Sequence, residues 1–318
     1  MTIQILLLIL GLALIVFGAD WLVDGASSIA RKAGISEFVI GLTIVGFGTS
    51  CPELVVSLTG AIAGNSDISA GNVIGSNIFN TLLILGITAV ITPIAITREN
   101  RRRDIPMTIG VTVLFILCGM NHTLFGRGTD GLSRIEGIIF LVLFVAYIYS
   151  CFKFGKPDEN TGNDGKRLSL AASIALVLAG LACLVFGGRL FVDSATGIAK
   201  ALGVSDKFIA ITLLAGGTSL PELATCIVAA AKKKGQLALG NILGSNIFNI
   251  LLILGCSAVV HPLHFSGINL VDMGVLILSV LLVFTSAYTG KKDVLDRFDG
   301  SLMLLVEAAY MAWLIIKL

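Results

Sequence analysis

Long apolar segments separated by short polar loops run along the whole chain. A helix that spans a bilayer needs about 20 predominantly apolar residues. Ten segments meet or approach that length, at residues 3–30, 36–62, 68–92, 105–121, 132–152, 168–200, 205–231, 236–260, 268–288 and 299–317. The pattern therefore predicts an all-α polytopic membrane protein with ten transmembrane helices.

The composition favours the same class. Of 318 residues, 56% are hydrophobic and only 13% are charged, which is far from the balance of a soluble domain. The net charge of +2 gives no reason to expect a nucleic-acid partner, and no obligate protein partner is predicted beside the lipid bilayer. The first apolar segment lacks a basic start, so we expect a mature helix there and not a signal peptide. The six cysteines show no metal-binding spacing and are interpreted as buried thiols.

Lysine and arginine residues are distributed unevenly between alternate loops. If the N-terminus lies outside, sixteen of the 22 basic residues fall in cytoplasmic loops and five fall outside, with Arg189 inside a helix. Cytoplasmic loops normally carry the excess of Lys and Arg. The sequence therefore predicts that both termini lie outside. The short loops are typical of a prokaryotic inner-membrane protein.

The two halves of the chain repeat each other. An offset of 169 residues, from Glu53 to Glu222, aligns residues 46–54 with 215–223 and residues 71–80 with 240–249. Each copy holds five predicted helices, and an odd number of helices inverts the second copy in the membrane. The expected domains are a first repeat at 1–152, a cytoplasmic linker at 153–167 and an inverted second repeat at 168–318.

Each copy places one acidic residue, Glu53 or Glu222, in the middle of an apolar segment. A carboxylate at membrane depth is costly and usually marks a functional site. The prolines before them, Pro52 and Pro221, remove a backbone N–H, and the preceding glycines loosen the helix further. Carbonyls freed in this way are tolerated in a membrane only where they line a cavity or find a ligand. The two copies therefore predict interrupted helices at a charged site.

Hydroxyl and amide side chains accompany the carboxylates at helical spacing. They are Thr49, Thr218, Asn72, Ser76, Asn80, Asn241, Ser245 and Asn249. Carboxylate, hydroxyl, amide and carbonyl oxygens suit Ca²⁺, which takes about 6–8 of them, and Na⁺ accepts similar ligands. Zinc or copper would call for His or Cys, which are not placed here. The sequence therefore predicts a site for hard cations.

Some of these positions have a structural interpretation as well. Ser, Thr and Asn in membrane helices often only hydrogen-bond a neighbouring helix. For Asn72, Asn77, Asn241 and Asn246 the two interpretations are equally good, whereas ion binding is favoured for Ser76, Asn80, Ser245 and Asn249. We interpret Gly71, Gly75, Gly240 and Gly244 as close-packing positions. Asp20, Asp24, Asp193 and Arg189 are expected to face a helix interface or to pair locally.

The motifs Gly48-Thr49-Ser50-x-Pro52-Glu53 and Gly71-Asn72-x-x-Gly75-Ser76-Asn77, with their second copies, resemble those of the calcium/cation antiporter superfamily. The resemblance covers nearly the whole chain and is greatest to the short prokaryotic sodium/calcium exchangers. It implies a ten-helix fold around a central ion cluster, with the first and sixth helices sliding as a pair. The implied ion ligands are Glu53, Glu222, Thr49, Ser50, Thr218, Ser219, Ser76, Ser245, Asn80 and Asn249, with backbone carbonyls near Gly46 and Ala215.

The expected function is exchange of Ca²⁺ for Na⁺ by alternating access, with both ions as substrates and no cofactor. Proton/calcium exchange and potassium-dependent sodium/calcium exchange are the nearest alternatives. Some relatives carry Asp, tied to potassium, where this chain has Asn249, so potassium cotransport is less expected. A passive cation channel is a different class. An intramembrane enzyme is disfavoured because neither an HExxH motif nor a GxGD-type aspartate pair is present.

Overall fold

The computed structural model describes residues 2–126, 128–154, 168–202, 215–289 and 293–317, and most of them are helical. The helices are α1 Thr2–Ala33, α2 Glu37–Ile40, α3 Gly46–Thr49, α4 Cys51–Ile62, α5 Ser66–Phe79, α6 Leu85–Ile91, α7 Ile105–Gly119, α8 Asn121–Phe125, α9 Arg134–Phe154, α10 Leu170–Ala201, α11 Ala215–Gly217, α12 Leu220–Ala231, α13 Gly235–Ile247, α14 Gly255–Val260, α15 Leu270–Ser286 and α16 Arg297–Ile316. Four segments of wider, π-helical turn continue them: π1 Gly41–Val45, π2 Asn80–Ile84, π3 Asn100–Asp104 and π4 Phe248–Leu254.

Six continuous helices in the described ranges are long and apolar enough to cross a membrane. The segment 37–62 forms a seventh if its two parts, bent by 47° at residue 50, are counted as one span. The remaining predicted spans are described as shorter helices, α7, α12 and α15, of 15, 12 and 17 residues. The first part of the predicted seventh span and most of the predicted linker lie outside the described residues.

The longest helices, α1 and α10, lie against each other through small residues. A Cβ atom on Gly18 would lie 2.8 Å from the backbone oxygen of Gly180, and one on Gly11 would lie 2.9 Å from that of Gly187. Small residues at a membrane-helix interface let the two backbones approach closely. The glycines therefore make α1 and α10 a tightly packed helix pair.

Helix α13 lies at the centre of the fold, and its residues from Leu237 to Ile247 are all buried. Gly240 and Gly244 contact the backbone of α2 and π1, so their predicted close packing is confirmed. Gly71 and Gly75 on α5 are exposed, and no atom of the described residues lies within 4 Å of a Cβ position on either of them, so their predicted close packing is not seen in the described part of the chain. The segment equivalent to α2 and π1, residues 206–214, lies outside the described ranges.

Four two-residue strands within the described ranges qualify the all-α prediction. They are β1 Ile94–Ala95, β2 Gly131–Leu132, β3 Leu263–His264 and β4 Val294–Leu295. β1 pairs with β4 and β2 with β3, both antiparallel. Each pairing joins a loop of the first half to a loop of the second half. Two residues are too few to show an alternating pattern, so the sequence carried no signal for them.

Candidate functional site

Two interrupted helices carry the buried glutamates. α3 ends at Thr49, Ser50 leaves the helical conformation, and α4 begins at Cys51 with Pro52 in its first turn. Pro52 lacks the N–H that would continue the helix, which explains the break. Glu53 thereby lies in the first turn of α4, where the positive end of the helix dipole stabilises a carboxylate.

The second copy has the same local structure. α11 ends at Gly217, and α12 begins at Leu220 with Pro221 and Glu222 in its first turn. The predicted interruptions are therefore present in both copies. Glu53 and Glu222 are both completely buried.

The partner helices α5 and α13 run into π-helical turns next to the site. Asn80 is the first residue of π2, and Asn249 is the second residue of π4. A π-helical turn inside a helix is rare and is frequent at functional sites. Helical periodicity gave no sign of these wider turns, because the four-residue spacing from Ser76 to Asn80 is the one that an ordinary α-helix shows.

The hydrogen bonds to the two carboxylates cross between the copies. Ser50 of the first copy donates to Oε1 of Glu222 (3.2 Å), and Ser219 of the second copy donates to Oε1 of Glu53 (3.1 Å). Within each copy, Ser76 lies 3.3 Å from Oε1 of Glu53, and Ser245 lies 3.5 Å from Oε1 of Glu222. The structure thus brings the two motifs and four of the predicted serines together at one buried site.

Several oxygens at this site have no hydrogen-bond partner among the described residues. They are Oε2 of Glu53, Oε2 of Glu222, Oδ1 of Asn80, Oδ1 of Asn249 and Oγ1 of Thr218. A buried oxygen without a donor costs free energy, and a buried carboxylate costs much more. A bound cation would remove this cost, because carboxylate, amide and hydroxyl oxygens are the hard ligands that Ca²⁺ and Na⁺ accept.

Asn77 and Asn246 accept hydrogen bonds from the amide groups of Asn249 and Asn80. Asn80 donates its amide N–H to Oδ1 of Asn246 (3.3 Å), and Asn249 donates to Oδ1 of Asn77 (2.9 Å). Asn246 in turn donates to the hydroxyl of Thr81 (2.7 Å). These bonds occupy the nitrogens of Asn80 and Asn249 and leave their oxygens free. Asn77 and Asn246 therefore take the structural role that the sequence left open, and Thr81 is a participant that sequence reasoning missed.

The remaining predicted ligands, Gly46, Thr49 and Ala215, do not share one type of contact. The carbonyl of Gly46 already accepts the backbone N–H of Ser50 (3.1 Å) and lies 3.4 Å from the Ser245 hydroxyl. Thr49 donates to the backbone carbonyl of Val45, one turn earlier, and its hydroxyl is 3.2 Å from Oδ1 of Asn241. Ala215 is described only as the first residue of α11.

An ion pair joins α1 to the end of α12. Lys232 Nζ lies 2.7 Å from Asp20 and 2.6 Å from Asp24. Burial lowers the pKa of Lys232, but hydrogen bonds to the two aspartates outweigh it and the net pKa is raised. The predicted interface role of Asp20 and Asp24 is therefore confirmed. Their second-copy equivalents, Arg189 and Asp193, are exposed.

These features define a class: a helical membrane protein with a buried, oxygen-lined, doubly acidic site between two interrupted helices. The comparison with known families agrees. The family model described as sodium/calcium exchanger protein matches residues 3–153 and 172–316. The chain belongs to this family, within the calcium/cation antiporter superfamily, and its relatives include prokaryotic exchangers.

Two curated relatives match over nearly their whole length. The chain is 37% identical to the putative antiporter CaxA of Alkalimonas amylolytica, over 98% of both chains. It is 34% identical to the sodium/calcium exchanger MaX1 of Methanosarcina acetivorans, again over 98% of both.

A solved structure is similar throughout. The sodium-calcium exchanger NCX_Mj, soaked with Na⁺ and no Ca²⁺, superposes with a TM-score of 0.85 at 36% identity, covering 98% of this chain and 99% of that one. The whole fold, and not only the repeated motifs, is therefore shared with a sodium-calcium exchanger.

Proposed function

We propose that this protein exchanges Ca²⁺ for Na⁺ across a prokaryotic inner membrane by alternating access, with both ions bound at the Glu53/Glu222 site. The observation that carries the proposal is the set of unpartnered oxygens. Two fully buried carboxylates and two amide groups, of Asn80 and Asn249, each have an oxygen without a hydrogen-bond donor in the described part of the chain. Family membership supports the same substrates.

The charge of the site explains why exchange is coupled. With both carboxylates ionised the site carries −2, which one Ca²⁺ or two Na⁺ would neutralise. Both sets of ions would need Glu53 and Glu222, so they compete for the site. An empty site leaves two uncompensated buried charges, which opposes reorientation without cargo. The proposed ligands remain the twelve positions Glu53, Glu222, Thr49, Ser50, Thr218, Ser219, Ser76, Ser245, Asn80, Asn249, Gly46 and Ala215.

The proposed architecture is ten transmembrane helices in two inverted five-helix repeats, with both termini outside. In this arrangement 37–62 counts as one bent span, and α7, α12 and α15 count as further spans. The 169-residue sequence offset and the equivalent breaks at Ser50 and after Gly217 support it. Inverted repeats place substrate sites at interrupted helices near the middle of the membrane, and two repeats that move against each other open the site to alternate sides.

The test is radioactive Ca²⁺ uptake into proteoliposomes under three conditions: an outward Na⁺ gradient, an equal outward H⁺ gradient, and no gradient. Protein-free liposomes provide the background. We expect uptake with the Na⁺ gradient only. Uptake with the H⁺ gradient alone would replace this proposal by proton/calcium exchange. Equilibrative uptake with no gradient would show a channel. Repeating the Na⁺ arm with and without K⁺ tests potassium dependence.

A further inference from the structure

Two series of hydrogen bonds lead away from the amide groups of Asn80 and Asn249, and a hydroxyl takes part in only one of them. In the first series, Asn80 donates to Oδ1 of Asn246 (3.3 Å), and Asn246 donates to the hydroxyl of Thr81 (2.7 Å). The Thr81 hydroxyl donates in turn to the backbone carbonyl of Asn77 (2.9 Å). The first series therefore reaches a backbone carbonyl through a hydroxyl.

The second series reaches a backbone carbonyl directly. Asn249 donates to Oδ1 of Asn77 (2.9 Å), and Asn77 donates to the backbone carbonyl of Asn246 (3.2 Å). At the offset of 169 residues, the position equivalent to Thr81 is Ile250, whose side chain is apolar and buried. The difference between the two series is set by the sequence, because isoleucine has no hydroxyl.

The last group of each series decides how the amide groups before it are oriented. A backbone carbonyl only accepts hydrogen bonds, an amide group has a donor end and an acceptor end, and a hydroxyl both donates and accepts. In the second series the carbonyl of Asn246 holds the donor end of Asn77, which fixes its orientation. In the first series the orientation of Asn246 depends on where the Thr81 hydroxyl sends its proton. Because Thr81 donates that proton to the Asn77 carbonyl, the Thr81 oxygen accepts from Asn246.

A reversed first series would place the wrong atom at the ion site. Asn80 lies four residues after Ser76 on one helix face, and the Ser76 hydroxyl is 3.3 Å from Oε1 of Glu53. If Thr81 donated to Asn246, the Asn246 amide would turn over, and Asn80 would follow and point its N–H₂ group at the site. That group repels a cation, which an amide oxygen would bind. Thr81, Asn80 and Asn246 are at most 1% exposed, so bulk water does not replace these bonds.

We propose that Thr81 is a positioning residue that holds the amide oxygen of Asn80 toward the bound cation. Thr81 acts through Asn246 and does not contact the ion itself. The Asn80 oxygen accepts no hydrogen bond from the described residues, which leaves it available as a ligand. The proposal rests on the ion site proposed above. It makes the two amide ligands unequal, since Asn249 depends on a backbone carbonyl that no side-chain substitution removes.

The experiment measures the Kd for Ca²⁺ of the purified protein in detergent, by equilibrium binding of radioactive Ca²⁺ without Na⁺. Thr81→Val keeps the branched shape and removes the hydroxyl, and we expect the Kd to rise by about fivefold, the scale of one hydrogen bond. Thr81→Ser keeps the hydroxyl and is expected to bind Ca²⁺ like wild type. Ile250→Val, the matched control, changes the equivalent buried position without removing a hydrogen bond, so its Kd is expected to stay unchanged.

A double-mutant cycle tests whether Thr81 acts through Asn80. In an Asn80→Ala background the amide that Thr81 positions is gone, so Thr81→Val is expected to cause no further rise in Kd. In an Asn249→Ala background the same substitution is expected to raise the Kd by about fivefold again. Equal rises in both backgrounds would show that Thr81 acts on the site as a whole. That is the result of a merely structural role, and it would overturn the proposal.

The remaining outcomes separate this inference from the proposed function. Wild-type protein that does not bind Ca²⁺ would refute both. Ca²⁺ binding without Na⁺-driven uptake would refute exchange, and a raised Kd in Thr81→Val would then still support the role of Thr81. The same Kd in wild type and Thr81→Val would refute the inference alone. Where Thr81→Val does not fold, Thr81→Cys supplies a weaker donor and acceptor and is expected to raise the Kd, and an unchanged Kd in that variant would overturn the proposal.

Discussion

Three glutamates of the described chain are buried in apolar helices, and they lie in two different surroundings. Glu53 and Glu222 each receive hydrogen bonds from two serines, which belong to the same repeated motifs and partner helices. Glu307 on α16 is only 4% exposed, yet its Oε2 has no hydrogen-bond partner in the described structure. Burial alone is therefore common to all three, and only two of them have other oxygen ligands around them.

The repeat accounts for this difference. Glu53 and Glu222 are equivalent at the offset of 169 residues, whereas the offset of 163 that aligns Arg134 with Arg297 places Phe144 opposite Glu307. A cation needs several oxygens in its coordination sphere, and a lone carboxyl group supplies at most two. An ion site in a membrane is therefore recognised by several oxygens that lie close together, and a single buried acid is not enough.

The largest expected difference is in transport. Glu53→Gln or Glu222→Gln removes half of the site's charge, and loss of one buried charge partner costs about 3–5 kcal/mol. We expect Na⁺-driven Ca²⁺ uptake to fall by more than about 100-fold in proteoliposomes. Glu307→Gln, the matched control at membrane depth, is expected to stay within about twofold of wild type, because no hydrogen bond among the described residues joins Glu307 to the site. Equal losses of Ca²⁺ uptake in all three variants would show that the surroundings of the glutamates do not decide their role in transport.

The second difference is in stabilisation by Ca²⁺. A ligand that binds only the folded protein stabilises it by about 2.7 kcal/mol at 100 times its Kd. We expect added Ca²⁺ to raise the unfolding temperature of wild type and of Glu307→Gln in detergent, and to leave that of Glu53→Gln nearly unchanged. The measurement is a thermal unfolding curve with and without Ca²⁺ at constant ionic strength. A Ca²⁺-induced shift that survives in Glu53→Gln would place the cation elsewhere.

A smaller effect is expected from the amide oxygens. Asn80→Ala and Asn249→Ala each remove one unpartnered oxygen, and we expect the apparent Ca²⁺ affinity to fall by about tenfold in each, the scale of one strong hydrogen bond or ligand contact. Asn249→Asp keeps the oxygen and is expected to retain Ca²⁺ binding, with a steeper dependence on pH because the new carboxyl must lose its proton. Unchanged affinity in both alanine variants would limit the ion site to the two glutamates and the hydroxyls.

The smallest effect concerns stability without ions. Glu307→Leu replaces a buried carboxyl group that has no hydrogen-bond donor among the described residues by an apolar side chain, which is often stabilising by about 1 kcal/mol or more. We expect a modest rise in the unfolding temperature and unchanged exchange. A loss of stability would reveal a partner for Glu307 that matters more than its desolvation.

Much of the site was predictable from local sequence. The prolines at positions 52 and 221 act within one turn, so the breaks before Glu53 and Glu222 could be inferred directly. The four-residue spacing of Asn72, Ser76 and Asn80 placed them on one helix face. The π-helical turns at Asn80 and Asn249 could not be inferred in the same way, because a wider turn depends on packing against neighbouring helices and leaves no residue pattern of its own.

The membrane class, the duplicated motif and the buried acids could all be inferred from the amino-acid sequence, because apolar length, repeat spacing and charge at membrane depth are properties of short stretches of chain. The pairing of Ser50 with Glu222 and of Ser219 with Glu53 required the folded structure, since those bonds join residues more than 160 positions apart. The same is true of the burial of Gly240 and the exposure of Gly71. The sequence around a glycine cannot encode its burial, because burial depends on which neighbouring helix covers that glycine in the fold.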